Sequence, residues 1–357
     1  MMLFELLQVA LGNQEKLSHN PTEEEWTELL DDVQKQAVTG FTFVALEKLT
    51  TYGQKPPFNI LCEWIGLSEQ IRSQNIILNK RCVEVVQLFK EAGFRSCILK
   101  GQGNALLYPE PLLRTSGDID LWVEGNRRDI RNYVMSKSNE AQDGDMHIDL
   151  PVFDETPVEV HYFPSFNSIP HYNKKLQKWF EDNSEEQFSN HVSLLGITDN
   201  SVCIPTARFN VVQQMSHIMV HFFVEGIGFR QFVDYYFLLK KLHEAKYDDD
   251  FEAIFKQLGM LKFACGVMWV EKNILGLNDA YLIVSPNAKI GKIILKEIVE
   301  GGNFGFHDQR YSAREKGYLM RGVVDTYRLL QLLFYFPKDV LWKIIDKIKN
   351  QRWKLKK

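Results

Sequence analysis

The chain has 357 residues, 45% of them hydrophobic and 25% charged, which is ample for a sizeable core and for two or three structural units. Its formal net charge of −4 argues against a nucleic-acid binder that relies on bulk positive charge. No apolar run reaches the roughly 20 residues a membrane-spanning helix needs. The five cysteines include no C-x-x-C pair and suit buried thiols in a reducing compartment better than disulfides or structural zinc. A cytoplasmic protein is expected.

Residues 1–10 are apolar but carry Glu5 and lack a basic leader or cleavage site, so a helix is expected there rather than a signal peptide. Thr22 with Glu25 makes a capping-box pattern, followed by Trp26, Leu29, Leu30, Val33 and Ala37 at helical spacing, with Gly40 as the stop. Residues 52–57, rich in Gly and Pro, read as a loop. A long helix is expected over 68–92, with Ile71, Leu78, Cys82, Val85 and Phe89 on one stripe and Gly93 at its end. Residues 1–93 form a helical N-terminal region on this reading.

After Gly93 the pattern becomes β-like. Strands are expected at 96–99, 119–123, 146–152 and 158–163, the last two paired as a hairpin, with a helix over 127–137. A surface helix and loop over 173–190 and a weak strand at 191–195 complete a small α/β unit over 94–204. Pro205 opens a helical C-terminal domain, 205–357, with helical periodicity over 206–224, 229–244, 250–275, 288–300 and 313–334. Its last stretch, 338–357, carries eight Lys/Arg against two Asp, with Trp342, Ile345 and Trp353 among them. A solvated helix packed by Trp342 is the default there, with peripheral contact to anionic lipid or RNA as the alternative.

The chemistry concentrates in the middle region. Asp118 and Asp120 alternate with Ile119, Leu121 and Val123, so a strand would send the apolar trio one way and both carboxylates the other. Like charges side by side repel, and a divalent cation relieves the cost. In 158–162 the same alternation sets Glu159 and His161 opposite Val158, Val160 and Tyr162. If the two strands are neighbours, three carboxylates converge on one face, a set suited to two hard ions such as Mg²⁺ or Mn²⁺. Asp149 competes with Glu159 for the third place. The turn Lys100-Gly101-Gln102-Gly103 follows a strand and would bring backbone N–H groups to a phosphate. Lys100 and Arg114 would neutralise phosphate charge. These parts describe metal-assisted phosphoryl or nucleotidyl transfer, one ion holding the triphosphate and the other activating an acceptor hydroxyl, with Glu159 as ligand or base. His161 would orient Glu159, contact a phosphate or make a structural hydrogen bond. His217, His221 and Glu225, at i, i+4 and i+8, have metal-ligand spacing, although buried histidines on an apolar helix are the commoner case. Arg230 and Asp234 are an i, i+4 pair, either a plain ion pair or part of the cleft wall.

The run Leu99-Lys100-Gly101, then Leu107-Tyr108-Pro109, then 114–121 (Arg-Thr-Ser-Gly-Asp-Ile-Asp-Leu) resembles the signature of the uncharacterised nucleotidyltransferase family in the DNA polymerase beta-like superfamily. Residues 158–161 match that family's third-carboxylate strand, and 226–234 are similar to its C-terminal helical motif. Residues 301–305 and 336–342 resemble its Bacteroides-type members. The resemblance implies an α+β fold, a minimal nucleotidyltransferase mixed-sheet core between helical regions. It further implies a Mg²⁺- or Mn²⁺-dependent enzyme moving an NMP group from an NTP, ATP among them, to a hydroxyl acceptor on a small molecule, sugar or protein. Asp118, Asp120 and Glu159 would form the metal and acid/base set. Lys100, Gly101, Gln102, Arg114 and Ser116 would contact the nucleotide, with His161, Arg230 and Asp234 in the substrate cleft. One departure stands out: the superfamily's Gly-Gly or Gly-Ser turn is Lys-Gly-Gln here, so phosphate binding would be shared among Lys100, Arg114 and Ser116. Two rival readings are a nucleotide-binding module that has lost turnover and a nucleic-acid-directed transferase, the latter disfavoured by the acidic balance.

Overall fold

The computed structural model describes residues 1–197, 201–308 and 326–354, with side chains up to 345 in the last segment. Helix α1 spans Met2–Ala10 and α2 Glu23–Lys35. The Thr22–Glu25 capping box is formed in both directions, satisfying two of the backbone N–H groups that a helix start leaves open. The expected stop at Gly40 is corrected: α2 ends at Lys35, Ala37 takes the left-handed turn (φ 54°), and Gly40 lies inside a third helix, α3, Thr39–Thr51. Gly40 serves packing instead, because a Cβ there would lie 2.4 Å from the Leu113 carbonyl oxygen. Helix α4 covers Phe58–Glu91, starting ten residues before the expected helix, with Gly93 at its end (φ 82°).

Five strands form one mixed sheet: β1 Ser96–Leu99, β2 Ile119–Val123, β3 Gln142–Asp143, β4 His147–Asp149 and β5 Val158–His161, in the order β1-β2-β5-β4-β3. Among the described residues only the β2–β5 pair is parallel, joined by a crossover through α6, Arg127–Lys137. The β4–β5 hairpin is present as expected. The register pairs Asp120 with Glu159, Asp149 with Glu159, and His147 with His161. Period-two alternation therefore puts Asp118, Asp120, Glu159, His161, His147 and Asp149 on one face. On the other face Ile119, Leu121, Val123, Ile148, Val158 and Val160 pack with Leu78, Cys82, Val85 and Phe89 of α4 and Ile130 and Val134 of α6. Burying each of these aliphatic side chains contributes about 1.5–3 kcal/mol. The sheet is thus held from behind by helices, leaving its acidic face open.

Helix α5 (Gly101–Ala105) follows β1 directly, and α7 (Pro170–Asp182) and the small β6–β7 pair (His191–Val192, Val202–Cys203) lead to the helical region. There α8 (Ala207–Val224) and α9 (Phe229–Glu244) pack together, followed by α10 (Phe251–Gln257), α11 (Leu261–Asn273) and α12 (Ala288–Gly301). The stretch 250–275 is two helices, because Gly259 (φ 75°) turns the chain between them. The expected segment 313–334 lies largely outside the described residues; 326–332 form α13, and α14 is Pro337–Lys354. Val340 and Lys343 of α14 are buried while Leu341 and Ile345 are exposed, and Trp353 lies outside the described side chains.

The N-terminal helices and the C-terminal helices share one hydrophobic core. Phe4 meets Phe229 edge-on at 5.6 Å, Gln8 donates to the Ile274 carbonyl, and Asn13 bonds the Tyr236 hydroxyl. Among the described residues no helix is long and apolar enough to cross a membrane. The five cysteines are free; Cys82, Cys97 and Cys203 are buried and Cys62 is exposed.

Candidate active site

The open face of the sheet forms the floor of a cleft of about 870 Å³, and α8 and α9 form its other wall. Asp118, Asp120 and Glu159 each offer a carboxylate oxygen within 4.8 Å of the others. Three hard oxygen donors at this spacing fit Mg²⁺ or Mn²⁺. Asp149 lies one strand further, beside His147 (3.4 Å), outside that cluster.

The electrostatics divides the carboxylates. Asp118 opens onto the cleft and its pKa is raised, first by the neighbouring charge of Asp120 and then by burial. Asp120 is buried, which alone would raise its pKa. Lys100 (Nζ 2.7 Å from Oδ1) and His161 (Nε2 2.8 Å from Oδ1) outweigh burial and hold it far below the ordinary range. Glu159 is likewise depressed, burial being outweighed by His161 and His147. His161 itself is raised: its burial is offset by Asp120 and Glu159. The repulsion expected between the aspartates is therefore present, and Lys100 partly offsets it.

Lys100 reaches Asp120 from an unusual backbone. Its φ of 50° with ψ of −131° is a conformation that costs a non-glycine residue about 1–3 kcal/mol, and such strain concentrates at functional sites. Gly101 follows with φ 34° and lines the cleft. Gln102 does not: its amide is buried against α4 and donates to Asn79. The turn thus offers Lys100 and Gly101 to the cleft and uses Gln102 as an anchor.

Arg114 lines the cleft wall but is committed within the protein. Its Nε and Nη2 each donate at 2.7 Å to the two oxygens of Asp234, and Nη1 donates to Ser116 Oγ at 2.8 Å. Tyr108 and Asn104 donate to the same Asp234. Ser116 is buried by this arrangement. Asp234 therefore pairs with Arg114 and not, as its spacing suggests, with Arg230. Among the described residues Arg230 donates only to the Thr115 carbonyl (3.2 Å), sits over the Phe304 ring at 5.4 Å, and leaves its buried Nε without a partner. Burial and the nearby Arg114 lower its pKa. Among the described residues Arg230, like Lys100, lines the cleft with donors to spare.

His217 and His221 of α8 line the same cleft, 4.3 Å apart between ring centroids. Burial, with Lys100 next, holds His217 well below the ordinary histidine value, and His221 bonds Glu225 at 3.0 Å. Phe304 and Phe306, in the turn after α12, also line the cleft. That turn lies directly on the Gly226–Gly228 segment: a Cβ on Gly226 would meet Gly305 N, and one on Gly228 the Asn303 Cα, both at 2.9 Å. The two glycine-rich motifs are thus halves of one contact. Nothing in the sequence pattern marks out His147 or this aromatic pair as strongly as the carboxylates. Counting the hairpin register back from His161 leads to His147; the aromatic pair's place in the cleft depends on the contact of its turn with the distant Gly226–Gly228 segment.

The chain matches the model of a family described as uncharacterised nucleotidyltransferase over residues 22–276. No curated protein matches. Among solved structures it is similar to an antigenic nucleotidyltransferase-like protein from Paracoccidioides brasiliensis, at 12% identity over 60% of this chain and 95% of that one, with a TM-score of 0.34. With the carboxylate-bearing strands and the paired α8 and α9 all inside the matched span, the chain belongs to the uncharacterised nucleotidyltransferase family.

Proposed function

We propose that the protein transfers a nucleotidyl group from an NTP to a hydroxyl acceptor, with Asp118, Asp120 and Glu159 as the ion-binding set. The observation that carries this reading is the convergence of three carboxylates on the floor of a cleft whose walls supply Lys100 and Arg230. Bound to those carboxylates, Mg²⁺ or Mn²⁺ supplies the Lewis-acid charge that such a transfer needs. Lys100, as a mobile point charge, and Arg230, as a fork with open donors, hold the triphosphate. The acceptor oxygen bonds to the α-phosphorus, the α–β P–O bond breaks, and pyrophosphate leaves. Glu159, kept ionised by its histidine neighbours, takes the proton of the acceptor hydroxyl. The Arg114–Asp234 pair acts by holding the cleft wall in place.

The test is a screen of the four NTPs with Mg²⁺ or Mn²⁺, following pyrophosphate release and labelled adducts on protein, tRNA and small molecules. Wild type should form an adduct that Asp118→Ala does not, with both proteins equally folded. Nucleotide binding with no pyrophosphate release across the panel would favour a binding module. Transfer to tRNA, with steep salt dependence, would make the acceptor a nucleic acid.

A further inference from the structure

A second donor set shares this sheet face, and nucleotidyl transfer uses it only in part. His147 and His161 stand opposite each other on β4 and β5, ring centroids 5.2 Å apart. Glu159 Oε2 lies between them, 3.3 Å from His147 Nδ1 and 3.4 Å from His161 Nε2. One ligand atom from each of the three residues falls within 4.8 Å of the others.

The two spacings to Glu159 are compatible with a tetrahedral ion. Donors bound at about 2.0–2.1 Å around a tetrahedral ion stand about 3.3–3.4 Å apart. Neighbouring donors around octahedral Mg²⁺ at the same bond length stand only about 2.8–3.0 Å apart. The donor types agree, since imidazole suits zinc-class ions and Mg²⁺ prefers oxygen. The outer nitrogen of His147 adds a further sign. Asp149 Oδ1 sits 3.4 Å from His147 Nε2, an ion-pair distance that places a carboxylate behind the imidazole, where it can orient a metal-ligating ring. His161 Nε2 donates to Asp120 Oδ1 at 2.8 Å while Nδ1 is buried without a partner among the described residues, so an ion held through Nε2 would take the place of that hydrogen bond. Moving the ring proton from Nε2 to Nδ1 frees the Nε2 lone pair.

We propose that His147, Glu159 and His161 bind a zinc-class divalent ion, with the fourth position open to the cleft that all three residues line. Glu159 is then shared between this ion and the three-carboxylate set, and the two sites differ in the hardness of the ion they select. Asp149, which competes in sequence for the third carboxylate, orients His147.

The test is titration of chelator-stripped, full-length protein with Co²⁺, read by visible absorption. Wild type should give the intense spectrum of four-coordinate Co²⁺ at one equivalent, displaced by Zn²⁺ and not by Mg²⁺. His147→Gln, on a partly exposed strand position, should abolish the band while melting like wild type. Asp149→Asn should weaken Co²⁺ binding about 10–100-fold. Asp118→Asn should retain the band, because Asp118 is not a member of this set. A weak six-coordinate spectrum in wild type, ready displacement by Mg²⁺, or a full band in His147→Gln would overturn the proposal. The readout needs no turnover. Protein that binds Co²⁺ this way yet transfers no nucleotide fails only the proposed function. Protein that transfers nucleotide but gives the weak spectrum fails only the ion site.

Discussion

Two cation–aspartate pairs line the same cleft and have opposite physical characters. Arg114–Asp234 is a two-point fork, both residues buried, and Tyr108 and Asn104 complete the carboxylate's hydrogen bonding. It ties the segment before β2 and helix α5 to α9. Lys100–Asp120 is a single contact from a flexible ammonium, shared with His161 on one carboxylate oxygen and set next to a second, repelled aspartate. Geometry and not charge separates a structural pair from an exchangeable one. A saturated carboxylate has nothing left to offer an ion, whereas a carboxylate with one donated point charge can trade it for a better cation.

Breaking the structural pair should have the largest effect on stability. Arg114→Ala strands a buried carboxylate, and a loss of about 3–5 kcal/mol in chemical denaturation is expected. Arg114→Lys should recover only part of it, because a point charge cannot reproduce the fork. The pKa of Asp234 is held down, burial being outweighed by Arg114, so the pair's contribution is present above the unfolded carboxylate value and is lost as pH falls through the lower folded value. An Arg114→Lys protein that melts like wild type would contradict this assignment.

Breaking the exchangeable pair should act on activity. Asp120→Asn should lower transfer by about 10³-fold, roughly 4 kcal/mol of barrier, measured as label incorporation. Its folding free energy should fall by less than that of Arg114→Ala.

A third buried carboxylate sharpens the contrast. Glu271 in α11 is fully buried, and neither carboxylate oxygen has a partner among the described residues. Burial raises its pKa well above the ordinary value, so folded protein holds a proton that unfolded protein releases. Stability from this group is complete below the unfolded carboxylate value and is lost as pH rises toward the folded one. Glu271→Met should therefore stabilise the protein by about 1–3 kcal/mol at neutral pH, with little gain at acidic pH, in paired melts. No difference between the two pH values would show that the carboxyl has found a partner.

The smallest expected effect on stability is at Lys100. Lys100→Gly removes a contact but relieves positive-φ strain, so melting should change by less than about 1 kcal/mol. NTP affinity should nonetheless fall about tenfold, by calorimetry.

The contrast between the pairs is only half legible in the sequence. Period-two alternation around Asp118, Asp120 and Glu159 is enough to put three carboxylates on one face, because strand geometry is local and the apolar residues between them have only one core to enter. The strands at 96–99 and 119–123 and the helix at 127–137 appear with the expected bounds. The partners of Arg114 and Arg230 are not readable, since Asp234 is 120 residues from Arg114 and local spacing points to the wrong arginine. Gly40 misleads for a related reason: a glycine that admits a distant carbonyl looks, in sequence, like one that ends a helix. Gln102 belongs to the phosphate-facing turn by sequence, although its side chain answers to α4.

Whether the carboxylate floor supports transfer of a nucleotidyl group is decided by two reactions run in parallel, with the NTP labelled at the α-phosphate in one and at the γ-phosphate in the other. The α label should move to the acceptor while the γ label leaves in pyrophosphate, and Asp118→Ala should abolish both. Transfer of the γ label to the acceptor, or undiminished α-label transfer by Asp118→Ala, would contradict nucleotidyl transfer at this site.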